Sequence, residues 1–192
     1  MSGRDDVYLV RHGETAWSIT GQHTGRTDLA LTSRGEEEAR ALGPRLKGLR
    51  FDHVLSSPLR RALRTCELAG FAGLATLDRE LVEWDYGDYE GRTLAEIHRE
   101  RPAWELFRDG CPGGESVLQI TERADRVVSR LRALAGNILI FSSGHVLRVL
   151  AARWIDGSAA LGRRLVLDPA GVCVLAYDHG SSDSVIRLWN DR

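Results

Sequence analysis

Val7-Tyr8-Leu9-Val10-Arg11-His12-Gly13-Glu14-Thr15 is the stretch on which the fold turns. Its four leading apolar residues read as a buried strand. A histidine where such a strand ends, flanked by an arginine and a glycine, suits nucleophilic attack on phosphorus. The strand holds the ring rigidly, the glycine lets a substrate approach the backbone, and the guanidinium can pair two phosphate oxygens in a fork. Taken alone, the same residues also describe a strand-end histidine in an ordinary turn.

Around this stretch lies a chain of 192 residues, 43% of them hydrophobic, enough for one well-filled core. No linker, repeat or low-complexity tract divides it, so a single domain over residues 1–192 is expected. The net charge of −1 offers no global field for nucleic acid or an anionic membrane surface, so phosphate affinity has to come from local arginines. Lys47 is the only lysine. No run is long and apolar enough to span a membrane, and Met1 to Asp6 is polar, without a signal-peptide core. Cys66, Cys111 and Cys173 are widely spaced, odd in number and form no CxxC pair. A reduced cytoplasmic protein with no structural zinc or other metal is the expectation.

Periodicity supplies the remaining elements. Thr32 or Ser33 caps a helix whose inner face carries Ala39, Leu42, Leu46 and Leu49. His53 to Ser56 is a short strand, followed by a helix with Pro58 in its first turn, with Leu59, Ala62, Leu63, Cys66 and Ala69 inward and a stop near Gly70. Thr93 to Arg101 is helical and ends at Pro102. Ser116 to Leu134 is the clearest helix, with Ser116 and Gln119 as a capping box and Val117, Ile120, Ala124, Val127, Leu131 and Leu134 on one stripe. Asn137 to Phe141 reads as a strand buried on both faces, followed by a helix from about His145; Gly171 to Tyr177 and Ser184 to Trp189 are late strands. Strands alternating with helices predict an α/β fold, a three-layer α/β/α sandwich around a mostly parallel sheet. Ligands bind beyond the carboxyl ends of such strands, which singles out Arg11-His12, Ser56-Ser57 and Ser142 to His145. The helix start after Ser57 would also offer free backbone N–H groups to an anion.

Five ordered segments then carry a resemblance: Arg11 to Thr15, Thr24 to Thr32, Ser56 to Ala62, Glu83 to Gly91, and Gly113 to Ser116. Over nearly its whole length the chain resembles the histidine phosphatase, or phosphoglycerate mutase-like, superfamily. Trp84 to Gly87, Arg108 to Cys111 and Gln22 to Gly25 are similar to the branch of sedoheptulose-bisphosphatase-like and acid-phosphatase-like members. The resemblance implies the phosphoglycerate mutase-like fold and a metal-independent phosphomonoesterase without a cofactor, acting on a small phosphorylated metabolite such as a sugar phosphate or bisphosphate. It implies His12 as the phosphoryl-accepting nucleophile, Arg11 and Arg61 as the phosphate clamp, and Glu83 as the acid that protonates the leaving oxygen and later activates water. Trp84 and Tyr86 could desolvate that carboxyl.

The sequence departs from the family pattern twice. Ser143 stands where a second pocket histidine normally precedes Gly144, and His145 follows two positions later. Either could fill the role, with His145 the candidate to reach the phosphate or substrate. Ser18 stands where many members have asparagine, and its hydroxyl can contact phosphate. His23, Thr24 and Gly25 belong to a loop that would line the substrate, whereas His98 and His179 have a surface or loop placement. A phosphoglycerate mutase-type transfer is the nearest alternative, disfavoured because only nine positions separate Glu83 from Arg92, leaving no room for the insertions with which mutases enclose their intermediate. A non-catalytic phospho-ligand module is the alternative from another class. A homodimer is compatible with the sequence, with Trp104, Phe107 and Trp154 assignable to core or interface.

Overall fold

The predicted strand at the start of the chain is β1 (Val7–Arg11), near the middle of a six-stranded sheet. The structure is a computed structural model that describes residues 6–178 and 182–192; the polar start up to Asp5 and His179 lie outside the described residues. In chain order the elements are β1, α1 (Ala16–Thr20), α2 (Ser33–Leu46), β2 (His53–Ser56), α3 (Arg60–Cys66), β3 (Thr76–Leu77), α4 (Leu94–Glu100), α5 (Leu106–Asp109), α6 (Val117–Ala133), β4 (Ile138–Ser142), α7 (Gly144–Trp154), β5 (Val172–Tyr177) and β6 (Ser184–Asp191). The sheet order is β3-β2-β4-β1-β5-β6, parallel from β3 to β1 and antiparallel at β5 and β6.

Because successive side chains point to opposite faces, each central strand feeds two cores. Leu9, Ile138, Ile140, Cys173 and Leu175 pack with residues of α6 and α7; Val10, Leu139, Phe141 and Val172 pack with residues of α2 and α3. Every residue of β4 is buried, which is why its sequence is apolar without alternation. The three-layer sandwich follows. Register sets Arg11 beside Ser142 and Ser56 beside Phe141, so the carboxyl ends of β1, β2 and β4 share one edge.

Capping defines the helix starts, as predicted at Thr32 and at Ser116 with Gln119. Thr32 accepts the Gly35 N–H, and Thr93 with Glu96 and Ser116 with Gln119 form capping boxes. The ends differ in places. Gly48, at φ +88°, follows the end of α2 and leaves Leu49 exposed. Leu134 caps α6 and is likewise exposed. Pro58 precedes α3 rather than sitting in its first turn, because Leu59 is the cap. Leu59 and Leu63 are half-buried. The helix then widens over Glu67–Phe71, where Gly70 turns at φ +99°. The two-residue β3 and the short α1 and α5 are too brief for periodicity to announce.

Trp104, Phe107 and Trp154 are buried in the chain's own core, so they offer nothing to a dimer interface. His98 sits half-buried on α4 with Nε2 against the Trp104 carbonyl, 2.9 Å away. The three cysteines are free and buried, and burial pushes each thiol up to about 12. Among the described residues no helix is long and apolar enough to cross a membrane.

Candidate active site

His12 follows the last residue of β1, and its backbone is held from both sides. Its N–H donates to the Ser142 carbonyl (2.9 Å) and its carbonyl accepts the Ala170 N–H (3.2 Å). The ring Nδ1 is 2.8 Å from the Gly13 carbonyl, an acceptor only, so Nδ1 carries the proton and Nε2 keeps its lone pair. Nε2 has no partner among the described residues, and His12 lines a cleft of about 170 Å³. Burial, then the guanidinium groups of Arg61 and Arg11, hold the imidazole well below its ordinary range and therefore neutral.

Gly13 also has a packing role. A Cβ there would meet the Gly35 carbonyl oxygen at 2.3 Å, and one on Gly35 would meet the Glu14 carbonyl oxygen at 2.1 Å. The glycine admits the start of α2 and so fixes the loop after the nucleophile.

The two arginines divide their work. Arg11 donates through Nη1 to the Leu167 carbonyl (2.5 Å), while its buried Nε has no partner among the described residues. Arg11 lines the cleft, and Gly144 lets its guanidinium lie against the start of α7, since a Cβ would come within 3.2 Å of Nε. Arg61 is fully buried and does not line the cleft. Its Nη1 donates to the Thr27 carbonyl (2.9 Å), its Nη2 to those of Thr24 and Gly25 (3.0 and 2.8 Å), and its Nε weakly to the Ser143 hydroxyl (3.4 Å). Four of its five donors thus hold the loop over Thr24 to Thr27 and Ser143, leaving one N–H on Nη1 for a ligand.

Glu83 shares the cleft with Tyr86 and is 5% exposed; Trp84 and Tyr86 beside it in sequence are buried. Its Oε1 accepts the N–H groups of Trp84 (2.9 Å) and Val146 (2.8 Å), and its Oε2 accepts that of His145 (2.9 Å). The amino end of α7 therefore binds this carboxylate rather than a phosphate, and one lone pair of Oε2 is left to carry a proton. The start of α3 is also occupied, because the Arg60 N–H donates to Asp28 Oδ1 (2.7 Å) and the Leu59 N–H to the Ser57 hydroxyl (3.4 Å). Two of the N–H groups expected to face an anion after Ser56-Ser57 are thus taken by the chain's own acceptors. Behind Glu83, Arg123 spends all five donors on one clamp: the Glu80, Val82 and Glu83 carbonyls and both oxygens of Glu115. Glu115 in turn accepts the Asp85 N–H at 2.9 Å, so both sides of Glu83 are anchored.

His145 lines the cleft, and its Nδ1 lies 2.5 Å from the Tyr86 hydroxyl. Ser143 is buried against Arg61 outside the cleft lining, so of the two candidates only His145 enters the cleft. Ser18 also lines it, but its hydroxyl donates to the Thr15 carbonyl (2.9 Å) and accepts the Thr15 N–H (2.9 Å) as the capping box of α1. His23 and Thr24 line the cleft, with His23 Nδ1 donating to the Arg92 carbonyl (2.8 Å). Gly25 does not line it; its N–H goes to Glu90 Oε1 (2.8 Å), and a Cβ would strike Glu90 Oε2 at 2.6 Å.

Arg148 is the cleft residue that sequence reasoning missed. Its Nε donates to the Gly162 carbonyl (2.8 Å) and its guanidinium lies 4.9 Å from the centre of the Phe107 ring, leaving the terminal amines without protein partners among the described residues. The signal was available: Arg148 follows Gly144 and His145 by one helical turn and shares their face.

Three histidines of the cleft, His12, His23 and His145, sit below their ordinary range, burial being the main cause for each. Each binds its proton less readily folded than unfolded, so the unfolded chain takes up more protons as pH falls below about 6.5. Their contribution to stability is complete above that value and is lost below it. The melting temperature should fall between about pH 7 and about pH 5, and the slope should be shallower in His12→Ala.

Residues 7–192 match the histidine phosphatase superfamily, branch 1. The chain belongs to that superfamily and is a phosphatase. It is 40% identical over 178 residues to an acid phosphatase of Mycobacterium tuberculosis, covering 91% of this chain and 87% of that one. It is 36% identical over 180 residues to the sedoheptulose 1,7-bisphosphatase of Saccharomyces cerevisiae, covering 76% of this chain and 66% of that one. The solved structure of the open reading frame Rv3214 from M. tuberculosis superposes with a TM-score of 0.92 at 37% identity over 97% of each chain. The alpha-ribazole phosphatase of Shigella flexneri gives 0.85 at 29% identity, over 97% of this chain and 96% of that one. These are the two named classes to which the Trp84 to Gly87 motif pointed, with a third beside them.

Proposed function

We propose that this phosphatase hydrolyses small phosphorylated metabolites, sugar phosphates and bisphosphates foremost, through a phosphohistidine on His12. The observation that carries the reading is the unprotonated, unpartnered Nε2 of His12 on one cleft wall with Arg11 and Glu83. Nε2 attacks phosphorus as the bond to the leaving oxygen breaks, and that oxygen takes the proton from Glu83 Oε2. Water then returns a proton to Glu83 and attacks phosphorus as the P–N bond breaks. The guanidinium of Arg11, with the free N–H of Arg61, stabilises the charge on the phosphoryl oxygens, so the scheme requires no metal ion. His23, Thr24 and His145 face the rest of the substrate. The cytoplasm, where the free thiols stay reduced, is the compartment proposed.

The unpartnered amines of Arg148 support a substrate with a second anionic group. Arg148→Met keeps the stem against Phe107 and removes the charge. It should raise KM for a sugar bisphosphate about ten- to hundredfold, the worth of a hydrogen bond to a charged group, and affect an aryl phosphate far less. Competing readings separate in one assay of phosphate release and products on sugar phosphates, bisphosphates and an aryl phosphate. Release supports hydrolysis; an isomerised product without release means a mutase; neither product, with retained binding, means a non-catalytic module.

A further inference from the structure

The wall of the cleft holds a contact that the reaction scheme leaves unused. The Tyr86 hydroxyl lies 2.5 Å from His145 Nδ1. Tyr86 is 1% exposed, and no other acceptor for its hydroxyl occurs among the described residues. If Nδ1–H donated to the phenol oxygen, the phenolic hydrogen would be stranded in a buried place; if the phenol donates to Nδ1, both atoms are satisfied. The second arrangement puts the imidazole proton on Nε2, which has no protein partner among the described residues on a ring that lines the cleft. The ring itself cannot turn freely. It meets Tyr86 edge-on at 5.9 Å and Phe107 at 5.5 Å, stacks on His23 at 6.3 Å, and its backbone N–H is tied to Glu83 Oε2.

We propose that Tyr86 is a positioning residue that locks His145 as the neutral Nε2–H tautomer, presenting a fixed N–H donor to a substrate oxygen beside Glu83. Resting on the phosphatase reading above, this explains how a donor persists in the cleft when Ser143 has turned away to Arg61. Both groups stay uncharged in this arrangement. Burial and the nearby Glu83 push the Tyr86 hydroxyl well above its ordinary range, while burial and the charges of Arg148, His23 and Arg11 push His145 well below its own. His23 complements it: with Nδ1–H spent on the Arg92 carbonyl, its Nε2 is an acceptor on the same wall. A fixed donor beside a fixed acceptor matches the hydroxyl groups of a polyol.

Nitrogen NMR of the 15N-histidine-labelled wild-type protein, without substrate, reads the tautomer directly. The expected spectrum for His145 has a protonated Nε2 and an unprotonated Nδ1, and Tyr86→Phe shifts it toward a mixture. A protonated Nδ1 in the wild-type protein overturns the proposal, and this holds even if Tyr86→Phe does not fold. Kinetics add a second arm. Tyr86→Phe should lower kcat/KM for a sugar phosphate about tenfold, the value of one lost hydrogen bond, yet change it less than about twofold in a His145→Gln background. Glutamine places an amide where Nε2 stood and has no atom at Nδ1 for the phenol to fix. Equal losses in both backgrounds would mean that Tyr86 acts only through packing and would overturn the lock. If no substrate releases phosphate, the functional reading fails on its own, and the spectrum still decides the tautomer.

Discussion

His12→Ala is expected to lower kcat for phosphate release by about 10⁴-fold or more, because it removes the nitrogen that accepts the phosphoryl group. The backbone bonds of residue 12 to Ser142 and Ala170 do not depend on the ring, so the sheet edge survives the substitution. Arg11 also keeps its place, tied to the Leu167 carbonyl. The variant should bind a phosphorylated ligand while failing to turn it over. Circular dichroism and a thermal melt alongside the assay separate lost chemistry from lost fold. A variant that remains folded and retains a tenth of wild-type turnover would remove His12 from the reaction.

Glu83→Gln is expected to cost about 10²- to 10⁴-fold in kcat on a sugar phosphate, the range for a general acid and base. The loss should depend on the leaving group. An aryl phosphate departs with little help from an acid, so formation of the phosphoenzyme would be slowed much less than its hydrolysis, which still needs water activated. Phosphoenzyme should therefore accumulate on the aryl substrate, seen as a burst of phenol before a slow steady state. The substitution also disturbs the fold. Three backbone N–H groups converge on the carboxylate, and a glutamine has one oxygen for them and an amide that opposes one N–H. A loss of about 1–3 kcal/mol of stability is expected, read from denaturant unfolding. Uniform losses on both substrates, with no burst, would take the acid-base role away from Glu83.

Much of this site can be read from residues because a parallel sheet delivers its strand ends to one edge. The apolar runs Val7 to Val10 and Ile138 to Phe141 identify central strands, and the residues that follow them, His12 and His145, do enter the cleft. What periodicity could not convey is how polar groups compete for one another. The free N–H groups at the start of α3 were expected to face a phosphate, but Asp28 takes one of them across 32 residues of sequence, and Glu83 likewise takes an N–H group at the start of α7 across 62. Arg61, expected among the phosphate oxygens, spends most of its donors on the carbonyls of Thr24, Gly25 and Thr27. Ser18 spends its hydroxyl on Thr15 by the local logic of a capping box. Such choices depend on long-range pairing and on saturating each donor, and no local pattern encodes them.

The proposed hydrolysis depends on the open Nε2 of His12 as the atom that receives phosphorus. The most direct measurement is rapid quenching of the enzyme during turnover of an aryl phosphate under alkaline conditions, followed by peptide mapping of acid-labile phosphate. Phosphate on the peptide containing His12, formed and lost at rates consistent with turnover and absent in His12→Ala, is the predicted result. Turnover without label on that peptide, or label on a different residue, would contradict it.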